Sequence, residues 1–296
     1  MRKLQQRLLS IVCAALLACY TLTAGAEDWQ AEFDGLLLNA QFIDGSRDKP
    51  VFLIVHGTGG HHGMEIIHHL QTLLQESDLA SLAITQSLGI TDRKGFFDCR
   101  NNPLRHGQAD PLAEISYWYQ QLRAKGWSKI ILVGHSRGAS QIALLRQTAP
   151  EADTSALVLL APMTWQAEQV AADYEAFYGE PLALVLAQAQ QAQAKNKALL
   201  GPVGFLTCGK IMVTPAAFQS FYEAEPEKNT PALIANVDLP TLVYIGSEDE
   251  LTVGMEAQID NLNNSNITLT TIDGADHFLR DLHLEDVVEH LLEHLP

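Results

Sequence analysis

Short apolar runs recur along the chain, separated by longer stretches that mix apolar and polar residues. "VFLIVHG" (51–57), "SLAITQSLG" (81–89), "KIILVGHS" (129–136), "ALVLLAPM" (156–163), "TLVYIGSED" (241–249) and "ITLTTIDGA" (267–275) are rich in Val, Ile and Leu, and "GLLLNAQFI" (35–43) precedes them. Their hydrophobicity is continuous rather than alternating, the mark of a strand buried on both faces. Between them the pattern predicts helices over 64–76, 109–125, 139–147, 255–263 and 281–294. Strand and helix in alternation imply an α/β fold with a mostly parallel, doubly wound sheet. In such a sheet, ligands bind beyond the carboxyl ends of the strands.

Residues 164–235 break this rhythm. A stretch of that length is too long for a loop, and "YEAFYGEPLALVLAQAQQAQAKNKALLG" (174–201) is dense in the helix formers Ala, Gln and Leu. The expectation is a mainly helical cap over 164–235, covering a core built from 27–163 and 236–296. The cap carries Trp165, Tyr174, Phe177, Tyr178, Phe205, Phe218, Phe221 and Tyr222. Most of these are expected to fasten the cap to its own interior, and a few to line the space beneath it. Nothing in the cap is strongly basic, so this stretch offers no obvious clamp for an anion.

The N-terminus has another pattern. Arg2, Lys3 and Arg7 precede the uncharged run "LLSIVCAALLACYTL" (8–22), and "TAGA" ends at Ala26 with small residues. Residues 1–26 therefore read as a secretory signal, the apolar run being too short for a comfortable membrane span. A second reading stays open: "LLAC" (16–19) resembles a bacterial lipobox and would place a lipid anchor at Cys19. An exported mature chain, periplasmic or secreted and without an integral membrane span, is expected either way. Of four cysteines, Cys99 and Cys208 lie outside the signal. In an oxidising compartment such a pair invites a disulfide, with two separate buried thiols as the alternative. The formal net charge of −16 argues against nucleic acid as a partner, because phosphates would repel it.

The candidate chemistry centres on Gly134-His135-Ser136-Arg137-Gly138, which fits G-x-S-x-G on a turn between an apolar strand and a helix. A hydroxyl attacks poorly until a base takes its proton. The base is expected after the last strand and its carboxylate partner after the strand before. "GADHFLRD" supplies His277 and "YIGSEDELT" supplies Asp249 at those places. Glu248 and Glu250 flank Asp249, and spacing from Gly246 favours Asp249 over both. A developing oxyanion needs donors aimed at it in advance. "HGTGG" (56–60) brings glycine-rich backbone to the end of another strand, so the amides of Thr58 and Arg137 are assigned that role. His61, His62, His68 and His69 resemble a metal cluster, yet adjacent His68 and His69 face different sides of a helix. With no carboxylate at ligand spacing, neither a metal nor another cofactor is expected.

"HGTGG", "GHSRG", "GSED" and "GADHF", in that order, resemble the α/β-hydrolase family, and the likeness runs from about Phe42 to Leu295. The resemblance implies an α/β-hydrolase fold and a serine hydrolase, carboxylesterase-like, with the triad Ser136, Asp249 and His277. Its substrate is then a small or medium carboxylic ester, cleaved through an acyl-enzyme. A serine peptidase, amidase or acyltransferase on the same fold is the alternative, and a non-catalytic binding protein a more distant one. The cap matches no one subfamily, which leaves acyl and leaving groups open.

Overall fold

The structure, a computed structural model, describes residues 25–150, 154–224 and 228–295. Residues 1–24, which hold most of the expected export signal and Cys19, lie outside them. The centre is an eight-stranded sheet with strand order β1-β2-β4-β3-β5-β6-β9-β10. Its strands are β1 (Glu27–Phe33), β2 (Leu36–Ile43), β3 (Val51–Val55), β4 (Ala80–Thr85), β5 (Ile130–His135), β6 (Thr154–Leu160), β9 (Thr241–Gly246) and β10 (Ile267–Ile272). β2 pairs antiparallel with both β1 and β4; every other pair is parallel.

The continuous apolar runs are explained by cover on both faces. Val51, Leu53 and Val55 of β3 join Ile130 and Leu132 of β5 in one core, while Phe52, Ile54, Ile131 and Val133 join another. The first core packs under α2 (Pro111–Ala124), α3 (Arg137–Thr148) and α8 (Met255–Asp260). The second packs under α1 (Glu65–Glu76) and α9 (Leu282–Glu293). Alternate residues of one strand thus feed two interiors, and no position on β3 or β5 is left for a polar side chain except His135 at the end of β5.

Between β6 and β9 come α4 (Ala167–Tyr178), α5 (Leu182–Ala194), β7 (Leu200–Phe205), β8 (Cys208–Val213), α6 (Pro215–Tyr222) and α7 (Thr230–Ile234). β7 and β8 form an antiparallel hairpin that the helix-rich sequence of this segment does not foreshadow. The segment gathers an interior of its own from Tyr174, Leu182, Val185, Phe205, Ile211, Phe218 and Tyr222. Among its ties to the core, Cys208 forms a disulfide with Cys99, Leu104 bridges Val213 and Thr230 hydrogen-bonds to Ser140.

Candidate active site

β5 ends in the turn that carries Ser136. The backbone there has φ 54° and ψ −119°, a conformation costly for a residue with a Cβ, and α3 begins at the next residue. The turn is that tight because α3 packs hard against β3. A Cβ added at Gly138 would lie 2.4 Å from the Val55 carbonyl oxygen, so glycine alone fits. The parallel ladder holds the other side, the Ser136 amide donating to the Leu160 carbonyl at 2.8 Å.

Loops after β9 and β10 bring in the two remaining predicted residues. His277 Nε2 lies 3.0 Å from Ser136 Oγ, and His277 Nδ1 lies 2.8 Å from Asp249 Oδ2. Asp249 is buried, and its Oδ1 accepts from the Leu251 amide at 2.9 Å. A carboxylate so placed fixes the histidine tautomer: Nδ1–H donates to Asp249, leaving the Nε2 lone pair for the serine hydroxyl. The flanking Glu248 and Glu250 are not part of this line.

Thr58 and Arg137, expected as backbone donors, are also joined through their side chains. Arg137 Nε donates to Thr58 Oγ1 at 2.9 Å, and Arg137 Nη1 donates to Gln108 Oε1. Arg137 opens α3, so its amide belongs to the first turn and has no partner four residues back. The glycine-rich turn before Thr58 is held by His56, whose Nδ1–H donates to the Gly57 carbonyl at 2.7 Å. His56 Nε2 in turn accepts from the Gln86 amide at 3.1 Å and from Arg93. Burial, then the Arg93 charge, hold the His56 pKa well below its ordinary value, so it stays neutral and can accept these bonds.

The sequence pattern missed two contributors. His135 is buried and donates its Nε2–H to the His277 backbone carbonyl at 2.9 Å, bracing the loop that carries the histidine. Burial first, then the nearby His277, lower the His135 pKa to about 4. Gln108 comes from the loop before α2, one residue ahead of the expected helix over 109–125, and nothing in the pattern singles it out. Beside the elbow a cavity of 570 Å³ is lined by Gln108, Arg137, Ser140 and Met163 of the core and by Tyr174, Phe221 and Tyr222 of the segment between β6 and β9.

The description "Alpha/beta hydrolase family" belongs to a family model that matches residues 51–290, and the chain belongs to that family. The fold is also that of solved hydrolases. Est1E from Butyrivibrio proteoclasticus with ferulic acid bound superposes with a TM-score of 0.64 at 20% identity, over 90% of this chain and 96% of that one. The esterase Pf2001 of Pyrococcus furiosus gives 0.61 at 15% identity, over 92% and 90%. An alpha-beta serine hydrolase homologue from Coxiella burnetii gives 0.56 at 17%, over 94% and 100%. No curated protein matches the chain. Membership of that family makes this a hydrolase.

Proposed function

We propose that this hydrolase cleaves a small or medium carboxylic ester through a Ser-His-Asp triad and a covalent acyl-enzyme. The observation that carries the reading is the unbroken line from Ser136 Oγ through the His277 ring to Asp249, at 3.0 Å and 2.8 Å, starting from a serine in a strained turn. His277 Nε2 takes the Ser136 proton as Oγ attacks the acyl carbonyl. The amides of Thr58 and Arg137 receive the oxyanion. As the tetrahedral intermediate collapses, the proton on Nε2 passes to the leaving alkoxide and Ser136 keeps the acyl group. Water then enters, loses a proton to Nε2 and releases the acid. The Cys99–Cys208 disulfide supports action in an oxidising compartment outside the cytosol.

The test is a fluorophosphonate that acylates activated serines, followed by peptide mapping. Label on Ser136 is expected, absent in Ser136→Ala. A series of 4-nitrophenyl esters of graded chain length, run beside aminoacyl arylamides, then separates esterase from peptidase. The expected result is ester cleavage with kcat/KM rising over the first few carbons, by at most about 0.8 kcal/mol per buried methylene. Cleavage of the arylamides alone would replace the esterase with an amidase.

A further inference from the structure

Arg137 contributes more than a backbone amide. Its side chain lies on the wall of the cavity beside the elbow, where the surrounding surface is largely aromatic and aliphatic: Trp165, Tyr174, Phe221, Tyr222 and Leu251. The guanidinium stands 4.8 Å above the Phe221 ring and hydrogen-bonds to two neutral oxygens, Thr58 Oγ1 and Gln108 Oε1. Among the described residues it forms no ion pair. Its Nη2 has no hydrogen-bond partner there and is not sealed in, and Arg137 lines the cavity.

A cation in such a place is costly unless something compensates it. Burial lowers the Arg137 pKa to about 10, an effect the structure leaves without a carboxylate to oppose it. A buried arginine elsewhere in the fold shows how a purely structural guanidinium is treated. Arg93 donates to the backbone carbonyls of Gln86 and Gly95 at 2.7 and 2.6 Å, and it feels the Glu114 charge. The two other charged residues on the cavity wall have partners of their own. Lys228 Nζ donates to the Glu223 carbonyl, and exposed Asp173 accepts from Gln169 at 2.7 Å. Arg137, next to the nucleophile and bonded only to neutral groups, is therefore the charged group placed to receive an anion, and a guanidinium's planar fork matches a carboxylate.

We infer that the substrate of this site is an ester bearing a free carboxylate, which the Arg137 guanidinium receives in the cavity beside Ser136. The inference rests on the proposed esterase reading and names its substrate class. Because Arg137 directly follows the nucleophile, the carboxylate belongs a few bonds from the scissile carbonyl. It can lie on the acyl side, as in a monoester of a short dicarboxylic acid, or on the alcohol side, as in an acylated hydroxy acid. Neutral esters fill the cavity without meeting the cation. The cap carries no strongly basic clamp because the cation comes from the elbow itself.

Two matched pairs of probes separate the sources: mono-4-nitrophenyl glutarate against its methyl ester, and 4-acetoxybenzoate against its methyl ester. In the wild type, the charged member of one pair is expected to exceed its neutral partner in kcat/KM by about tenfold or more, from a charge-assisted contact. The pair that shows it names the side of the ester. The preference should shrink as salt is added, largely vanish in Arg137→Gln and return in part in Arg137→Lys. A second measurement needs neither turnover nor a variant: glutarate, and not the neutral glutaramide, should slow fluorophosphonate labelling of wild-type Ser136. If neutral esters are cleaved with no charged preference in either pair, or if Arg137→Gln keeps the preference, the inference is overturned while the esterase reading stands. If Ser136 takes no label and no ester is cleaved, the esterase reading fails first and this one with it.

Discussion

Ser136 occupies a region of backbone space that only glycine enters freely, and that makes its strain measurable. Ser136→Ala and Ser136→Gly both remove the hydroxyl, and both are expected to abolish ester turnover. They should differ in stability in an unusual sense. Glycine relieves strain of about 1–3 kcal/mol, against about 0.4–1 kcal/mol for its looser unfolded chain. The glycine variant should thus be the more stable by roughly 1 kcal/mol in denaturant unfolding. An alanine variant as stable or more so would mean the turn is not strained. At this scale the sequence was most legible where chemistry is local: serine between two glycines, histidine and aspartate just past strand ends. The roles of side chains that meet across the chain were not legible. Arg137 reaches Thr58 across 79 positions and Gln108 across 29, and no spacing rule announces either contact.

Elements were legible in proportion to how much of them is buried. The inner parallel strands β3, β5, β6 and β9, covered on both faces, stand out as apolar runs, whereas β10 at the sheet edge has one buried residue. β1 does not, because Trp29 is its one buried residue, stacked on Phe42 with centroids 4.6 Å apart, and its remaining positions are polar or half-exposed. The hairpin of β7 and β8 was hidden for another reason: "LGPVGF" and "CGKIMV" carry glycines and a proline that weaken any strand signal. Two elements also set the geometry of the proposed triad through one contact. A Cβ at Gly246, the end of β9, would lie 2.1 Å from the Ala275 carbonyl oxygen on the loop that carries His277. Gly246→Ala should therefore push that loop away from Asp249 and Ser136. The expectation is a loss of about 1–3 kcal/mol in stability with a proportionally larger fall in kcat/KM. Equal kcat/KM in variant and wild type would sever the loop from the chemistry. The hairpin offers another test, since Cys99 and Cys208 close a loop across 109 positions. Opening it by reduction or by Cys208→Ser should cost up to roughly 4–5 kcal/mol in the chain-entropy model, read as a lower Tm. An unchanged Tm would show that the hairpin is held by packing alone.

At the scale of the molecule, three buried histidines among the described residues are kept neutral. Burial is the leading cause for each: it holds His56 well below its ordinary value and brings His106 and His135 to about 4. Unfolding returns them to about 6.5, so below that pH the unfolded chain binds more protons and the native state loses ground until the folded values are reached. The slope is at most about 1.4 kcal/mol per pH unit for each histidine. Glu114, whose pKa burial raises, acts in the opposite direction lower in the same range. Tm should accordingly begin to fall below about pH 6.5, well before surface carboxylates titrate, and a Tm flat down to pH 5 would contradict it. The division of the cavity wall has a further result, for the history of the protein and its redesign. Gln108, Arg137 and Ser140 come from the sheet-bearing part, whereas Tyr174, Phe221 and Tyr222 come from a segment with an interior of its own. The groups proposed to break the bond can stay fixed while the roof above them drifts, so a mutant library confined to 164–224 explores new substrates without putting the proposed reaction at risk.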